Sequence, residues 1–482
     1  MTRKQVFTIT AVPRHQRGPM NLYTFLAAGI DADRAAVCFD VPGANSVTYG
    51  ELADGAGRVA ARLVADGVVP GDRVLLMAHK TIESVMTYLG VLKAGAVVVP
   101  VNTSYTDSEL KYFEEDAEPR LFVRDAAGFV DQCGMIEPLV RPVERANDDL
   151  AALVYTSGTT GKPKGAMLTH GGLAANAEAL VQLWQFTAAD KLLHALPIFH
   201  IHGLFVALHC ALRSGCAMLW MEKYDASVII DELPRCSVMM GVPTFYTRLL
   251  DEAKFTRETA EKMRLFVSGS APMLEATFAE FEARTGQKIL ERYGMSEASI
   301  ITSNPYVGER RAGTVGFAVP GYDVRVRGEQ PGMIEIKGPS LFTGYWHNPL
   351  KTADEFTEDG YFMTGDLGVI DGEGRVSITG RAKDLIISGG FNVYPKEVEL
   401  VLDVVPGVIE SAVIGVPHPD FGEAVVAVVA GDLDEALLVV AARGSLAAYK
   451  VPKRVIIVPE LPRNAMGKVQ KAELRKQYSG LF

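Results

Sequence analysis

The stretch Tyr155-Thr-Ser-Gly-Thr-Thr-Gly-Lys-Pro-Lys-Gly165 decides how the rest of the sequence is read. Apolar Leu153 and Val154 lead into it like the end of a buried strand. Three glycines, four Ser/Thr hydroxyls and two lysines follow. Glycine lets backbone N–H groups come close to an anion, while hydroxyls and ammonium groups add further donors and positive charge. The segment therefore suits a polyphosphate, and a strand feeding such a loop belongs to layered α/β proteins. It is not a Walker A loop, because Pro163 stands where Ser or Thr should follow Gly-Lys. A merely flexible polar loop would not concentrate so many donors behind a strand.

Outward from this loop, short apolar runs alternate with amphipathic stretches from about residue 22 to about residue 370. Arg73–Ala78 and Val97–Val101 read as buried strands. Ile82–Leu92 and Leu52–Ala65 show apolar residues three or four apart and read as helices. This alternation predicts α/β layers with mostly parallel sheets. The character changes at Gly380-Arg-Ala-Lys-Asp384, which is short and polar. Beyond it, Pro395–Val404 reads as a helix opened by proline, Ser411–Val416 and Val425–Ala430 as strands, and Glu435–Ala448 as a second helix. The expected organisation is a large multi-sheet α/β domain over 1–379, a hinge over 380–384, and a small mobile α/β domain over 385–482.

The composition agrees with a folded protein of more than one domain: 482 residues, 48% hydrophobic and 22% charged. A net charge of −10 gives no general attraction to nucleic acid or to an anionic membrane. No apolar run approaches the roughly 20 residues needed to span a bilayer. Five cysteines form no CxxC pair and suit reduced thiols, so a cytoplasmic location is expected. Residues 1–30 carry basic side chains but no acid, which is also the composition of an organellar leader. Gly55-Ala-Gly57-Arg-Val-Ala60 matches a dinucleotide fingerprint, but it falls inside a helical pattern instead of after a strand. His200 and His202 lack the partners of a zinc site, and neither HExxH nor GxSxG occurs.

The loop at 155–165 resembles the signature of the adenylate-forming superfamily, which includes acyl-CoA synthetases, luciferases and the adenylation domains of peptide synthetases. Further motifs follow in that family's order. Tyr293-Gly-Met-Ser-Glu297 is similar to its YGxTE, with Ser296 in place of Thr. Tyr361-Phe-Met-Thr-Gly-Asp366 is similar to its YxTGD with one additional residue. Gly380-Arg381 with Lys383-Asp384 resembles its hinge, and Pro462-Arg-Asn-Ala-Met-Gly-Lys468 its C-terminal PRxxxGK. The resemblance covers about 45–475.

It implies a two-step reaction with Mg²⁺ and ATP, in which a carboxylate becomes an acyl-adenylate and the thiol of CoA then displaces AMP. It assigns Thr156, Ser157, Gly158, Thr159, Thr160, Gly161, Lys162 and Lys164 to the phosphates. Glu291, Tyr293, Ser296, Asp366 and Arg381 belong to the rest of the nucleotide site. Glu297 is the implied metal ligand and Lys468 the implied catalytic cation. Lys383 is the implied pivot of a rotation that withdraws Lys468 and presents Ser388, Gly389, Gly390 and Phe391 to CoA. Each residue taken singly has an ordinary alternative: a helix N-terminal acid for Glu297, a turn residue for Asp366, a solvated charge for Lys468.

The acid is read from Arg292. A guanidinium beside Tyr293-Gly294 suits a second carboxylate, whereas a fatty-acid site would want an apolar tunnel. His202 and Ser270 would add donors. The alternative is that Arg292 pairs internally with Glu291 or Glu297. Neighbouring segments, among them His200-Ile-His-Gly-Leu-Phe205, Ser268-Gly-Ser-Ala-Pro272 and Thr302-Ser-Asn-Pro305, are most similar to malonyl-CoA synthetases within the superfamily. Ile300 departs from their pattern and bears on the room around C2 of the acid, hence on methylmalonate. Two rivals remain: an aryl or fatty acyl ligase of the same superfamily, and a nucleotide-binding protein without catalysis. No carrier domain is expected, so the partners are small molecules: ATP, CoA and a short dicarboxylic acid.

Overall fold

The computed structural model describes residues 20–156, 163–464 and 467–482. The described residues form four β-sheets with helices packed between and around them. A nine-stranded sheet has at its centre the parallel strands Leu290–Met295, Leu265–Ser268, Val238–Gly241, Lys191–His194 and Ala217–Trp220. A five-stranded sheet places Arg73–Met77 and Val97–Val101 parallel to Leu121–Val123 and Leu150–Thr156. Val97–Val101 is buried along its whole length, as expected of a strand covered on both faces.

Both sheets end in antiparallel pairs that matter for the site. Leu150–Thr156 turns back as Lys164–Thr169, with Thr156 opposite Lys164. The two ends of the polyphosphate segment, Thr156 and Lys164, are therefore fixed by the ladder. Leu290–Met295 turns back as Ser299–Ser303 in the same way. The expectation of mostly parallel sheets holds for the cores of these two sheets. It fails for a third sheet, Asp323–Arg327, Gly332–Lys337, Phe362–Ile370 and Val376–Arg381, whose neighbouring strands are all antiparallel. Successive strands close enough in sequence for short connections pair this way without a crossover helix.

The helix boundaries follow local chemistry. Tyr49–Ala65 starts at Thr48, whose side chain accepts from Glu51 N while Glu51 accepts from Thr48 N at 2.7 Å. This reciprocal cap satisfies two otherwise orphaned donors. The helix contains the false dinucleotide motif, whose glycines serve close packing instead. A Cβ at Gly55 would lie 2.5 Å from Met86 Sδ, and one at Gly57 2.8 Å from Pro138 Cβ.

After Arg381 a short 3-10 turn, Ala382–Asp384, leads into a fourth sheet. The segment expected to be a hinge is thus half strand: Gly380 and Arg381 still pair with Leu367 and Asp366. The hairpin of Val408–His418 with Gly422–Gly431 dominates this last unit. Helices Pro395–Leu402 and Glu435–Ser445 pack on it, three residues shorter at their C-terminal ends than the sequence pattern suggests for the second. Its apolar residues form clusters of their own, one of them around Val398, Val413, Val425 and Leu438. All five cysteines are buried and free. No helix among the described residues is long and apolar enough to cross a membrane.

Candidate active site

The two hairpins and the third sheet bring most of the singled-out residues to one place. Tyr293 lies on Leu290–Met295 and reaches the third sheet, where its Oη donates to Asp366 Oδ2 at 2.5 Å. Asp366 and Arg381 are opposite each other on neighbouring strands, with Arg381 Nε 2.7 Å from Asp366 Oδ1. Asp366 is buried, and burial raises its pKa while Arg381, the Tyr293 bond and Lys468 pull the other way. The backbone N–H of Asp366 donates to Thr364 Oγ1 at 3.1 Å, which holds the turn of the Thr-Gly-Asp segment.

Glu297 sits in the turn between Leu290–Met295 and Ser299–Ser303, not at a helix N-terminus. Thr156 Oγ1 donates to its Oε1 at 3.4 Å and Tyr345 Oη lies 3.1 Å away. Tyr345 Oη is also 2.7 Å from Glu355 Oε2. Glu355 in turn takes Lys164 at 3.2 Å and Lys351 at 3.0 Å. Lys164 also lies over the Tyr345 ring, 4.1 Å from its centroid. Burial pushes the Glu297 carboxyl up, the hydrogen bond from Tyr345 holds it down, and Glu355 and Lys164 act in opposite directions. A buried carboxylate beside a Thr hydroxyl, at the mouth of a phosphate loop, suits Mg²⁺, which takes one or two carboxylates and completes its shell with phosphate oxygens and water. Tyr345, Lys351 and Glu355 were not singled out from the sequence, because their partners lie 48 or 191 residues away or carry no motif.

Lys468 comes from the last unit. Its turn is pinned: Lys468 N donates to Asn464 Oδ1 at 3.0 Å, and Arg463 Nη1 donates to Gly467 O at 2.6 Å. A Cβ at Gly467 would be 3.4 Å from Thr244 Oγ1, so the turn rests on the helix Pro243–Leu250 of the large unit. The Lys468 ammonium is lowered to about 8, chiefly by burial and then by Arg381 and Arg292, with Asp366 and Glu297 opposing them. In the orientation seen here Lys468 thus feels the charges of Arg381, Asp366 and Glu297 as well as that of Arg292. Ser388 is buried, but Gly389, Gly390 and Phe391 face outward, with Phe391 stacked on Tyr449 at 4.7 Å. Both glycines have positive φ, +58° and +84°.

Arg292 is 4% exposed, and its Nε and Nη2 find no hydrogen-bond partner among the described residues. Burial brings its pKa down to about 9. It forms no ion pair with Glu291, whose own Oε1 is buried without a hydrogen-bond partner among the described residues and whose carboxyl is raised by burial to about 8. The guanidinium lies on Gly269, where a Cβ would sit 2.4 Å from its Cζ. Ser270, in the left-handed region at φ +71°, brings its Oγ to 3.2 Å from His202 Nδ1. His202 is buried, its Nε2 has no partner among the described residues, and burial followed by Arg292 holds its ring neutral. Ile300 is opposite Gly294 and fully buried, held by Asn176 through both its backbone groups. Ser296 is half-buried in the turn. Ser157, Gly158, Thr159, Thr160, Gly161 and Lys162 lie outside the described residues, and Lys383 is exposed in the 3-10 turn.

Comparison with known proteins shows the family. The family described as "AMP-binding enzyme" matches residues 27–346, and "AMP-binding enzyme C-terminal domain" matches 397–468. The malonate–CoA ligase of Arabidopsis thaliana is 34% identical over 94% of this chain and 87% of its own. A long-chain-fatty-acid–CoA ligase of Mycobacterium tuberculosis is also 34% identical, over 90% and 93%. The crystal structure of ATP-bound MatB from Rhodopseudomonas palustris superposes with a TM-score of 0.91 at 47% identity, over 96% of this chain and all of that one.

Proposed function

We propose that this chain, which belongs to the AMP-binding enzyme family, joins malonate to CoA at the expense of ATP, releasing AMP and pyrophosphate. The observation that carries the acid is the buried Arg292 guanidinium with two unpartnered nitrogens beside a neutral His202 and Ser270. A buried cation left without a counter-ion is expensive, and a second carboxylate on the substrate removes that cost. An apolar acyl chain would leave it in place. This is why the equal sequence identity to a fatty-acid ligase does not decide the substrate.

In the first step one carboxylate of malonate attacks the α-phosphorus of ATP and expels pyrophosphate. Arg292, His202 and Ser270 hold the other carboxylate, and Lys468 bridges the attacking carboxylate and the α-phosphate as charge builds between them. Lys164 and the loop following Thr156 take the β- and γ-phosphates. Asp366 accepts from the ribose hydroxyls, with Arg381 and Tyr293 fixing its carboxylate. Glu297, with Thr156, would hold Mg²⁺, which supplies charge neutralisation across the phosphates. In the second step the CoA thiol attacks the acyl carbon and AMP leaves. Rotation of the small domain about Lys383 would withdraw Lys468 and bring Ser388–Phe391 to the acyl carbon; the outward position of Gly389 and Gly390 here fits the first half of that cycle. Buried Ile300 across from Gly294 supports limited room at C2, so methylmalonate would be a slower substrate.

A screen of carboxylic acids for AMP formation, with and without CoA, tests this. AMP formation with malonate well above that with propionate, benzoate and long-chain acids is expected. Preference for any monoacid would overturn it.

A further inference from the structure

A second basic cluster lies behind the acid site, and the steps above do not use it. Lys80 follows the end of the strand Arg73–Met77, and its Nζ is 2.5 Å from His194 Nδ1 and 3.4 Å from the centroid of Trp220. His194 ends the strand Lys191–His194 and is paired with Trp220 on the next strand. On its other side, His194 Nε2 is 3.0 Å from Gly203 O. A carbonyl oxygen only accepts, so Nε2 carries the proton and Nδ1 presents its lone pair to the ammonium. The hydrogen bonds thus run one way, from Lys80 through the imidazole to the backbone at Gly203.

That carbonyl belongs to an unusual piece of helix. His202–Ala207 is wound in π-type turns, and Gly203 O also accepts from Leu208 N, five residues on. A π segment accommodates one residue more than an α-helix and occurs mostly where a side chain must be aimed. Gly203 is packed so tightly that a Cβ there would be 2.1 Å from Pro197 O. Relaxation to α-helical winding would turn His202 about the axis by roughly 100°, one residue's worth of an α-helix. Burial alone depresses the Lys80 ammonium, with no described carboxylate offsetting it. A buried cation without a counter-ion costs stability instead of adding to it. Its presence therefore points to a purpose other than holding the fold.

We propose that Lys80 is a positioning residue for the acid site: through His194 it holds the π-type turns that begin at His202, and so fixes where that imidazole meets the far carboxylate of the acid. The inference rests on the malonate reading above.

The test uses the full-length enzyme and three variants, Lys80→Met, His194→Phe and His194→Gln. Malonate and propionate are assayed for kcat and KM, and ATP affinity is measured by calorimetry. Lys80→Met and His194→Phe should raise the malonate KM at least roughly tenfold, as misplacement of a binding group does, with ATP affinity unchanged. His194→Gln keeps a donor toward Gly203 and should stay nearer the wild type. If Lys80→Met does not fold, the contrast between the two His194 variants carries the same test. An unchanged malonate KM, equal behaviour of the two His194 variants, or a matching loss of ATP affinity would overturn the proposal. A wild type that does not use malonate at all would overturn the substrate reading and this inference with it.

Discussion

The two ends of the site differ in how their polar groups are satisfied. At the nucleotide end the carboxylates around the phosphate and ribose positions already have protein partners: Asp366 with Arg381 and Tyr293, Glu297 with Tyr345, Glu355 with Lys164 and Lys351. At the acid end, Arg292 and His202 are buried with nitrogens that have no hydrogen-bond partner among the described residues. The first arrangement exchanges one set of hydrogen bonds for another when ATP arrives, so binding gains little from any single contact and tolerates small losses. The second leaves a desolvation cost that only an anion of the right length removes. Affinity for the common co-substrate is spread over many residues, while selectivity among acids is concentrated in one guanidinium.

The comparison breaks most visibly at the group both ends share. Lys468→Ala should lower the rate of malonate-dependent pyrophosphate exchange by roughly 10²–10³-fold, about 3–4 kcal/mol, while calorimetry finds ATP binding nearly intact. Thioester formation from added malonyl-adenylate should survive. Asp366→Asn acts on the nucleotide end alone. It weakens ATP binding by about 2 kcal/mol, read as a raised KM for ATP, with the ratio of malonate to propionate turnover unchanged.

Arg292→Met should behave oppositely to an ordinary core mutation. Removing a buried unpartnered cation should leave stability unchanged or raise it by about 1–2 kcal/mol in urea titrations, even as activity is lost. The smallest effect is in pH. Lys468 must be protonated to act, and its pKa is lowered to about 8. For pyrophosphate exchange, kcat/KM should therefore be half-maximal near pH 8 and fall above it. Arg292 is one of the cations lowering that value, so its removal should shift the alkaline limb upward.

How much of this was legible in the sequence depended on the range of the interaction. Lys468, Asp366 and Glu297 stand in compact motifs and were placed by resemblance; the helix Tyr49–Ala65 and the strand Val97–Val101 follow from local periodicity within a few residues. Periodicity reports which face is buried, but not which strand a segment pairs with. The antiparallel third sheet was missed for that reason. Tyr345 and Glu355 were missed because a hydrogen bond across 191 residues, such as that of Lys164 to Glu355, leaves no local pattern. The absence of an Arg292 partner was equally invisible: Glu291 and Glu297 flank it in sequence, yet strand alternation turns Glu291 to the opposite face. For the six loop residues from Ser157 to Lys162 the phosphate role rests on their chemistry and on the family resemblance.

The most direct measurement of the central claim is the ratio of kcat/KM for malonate to that for propionate, taken in the wild type and in Arg292→Ala. Loss of the guanidinium should cost malonate about 3–5 kcal/mol and leave propionate nearly untouched, collapsing the ratio toward one. A fall of equal size for both acids, or a ratio that survives the substitution, would contradict it.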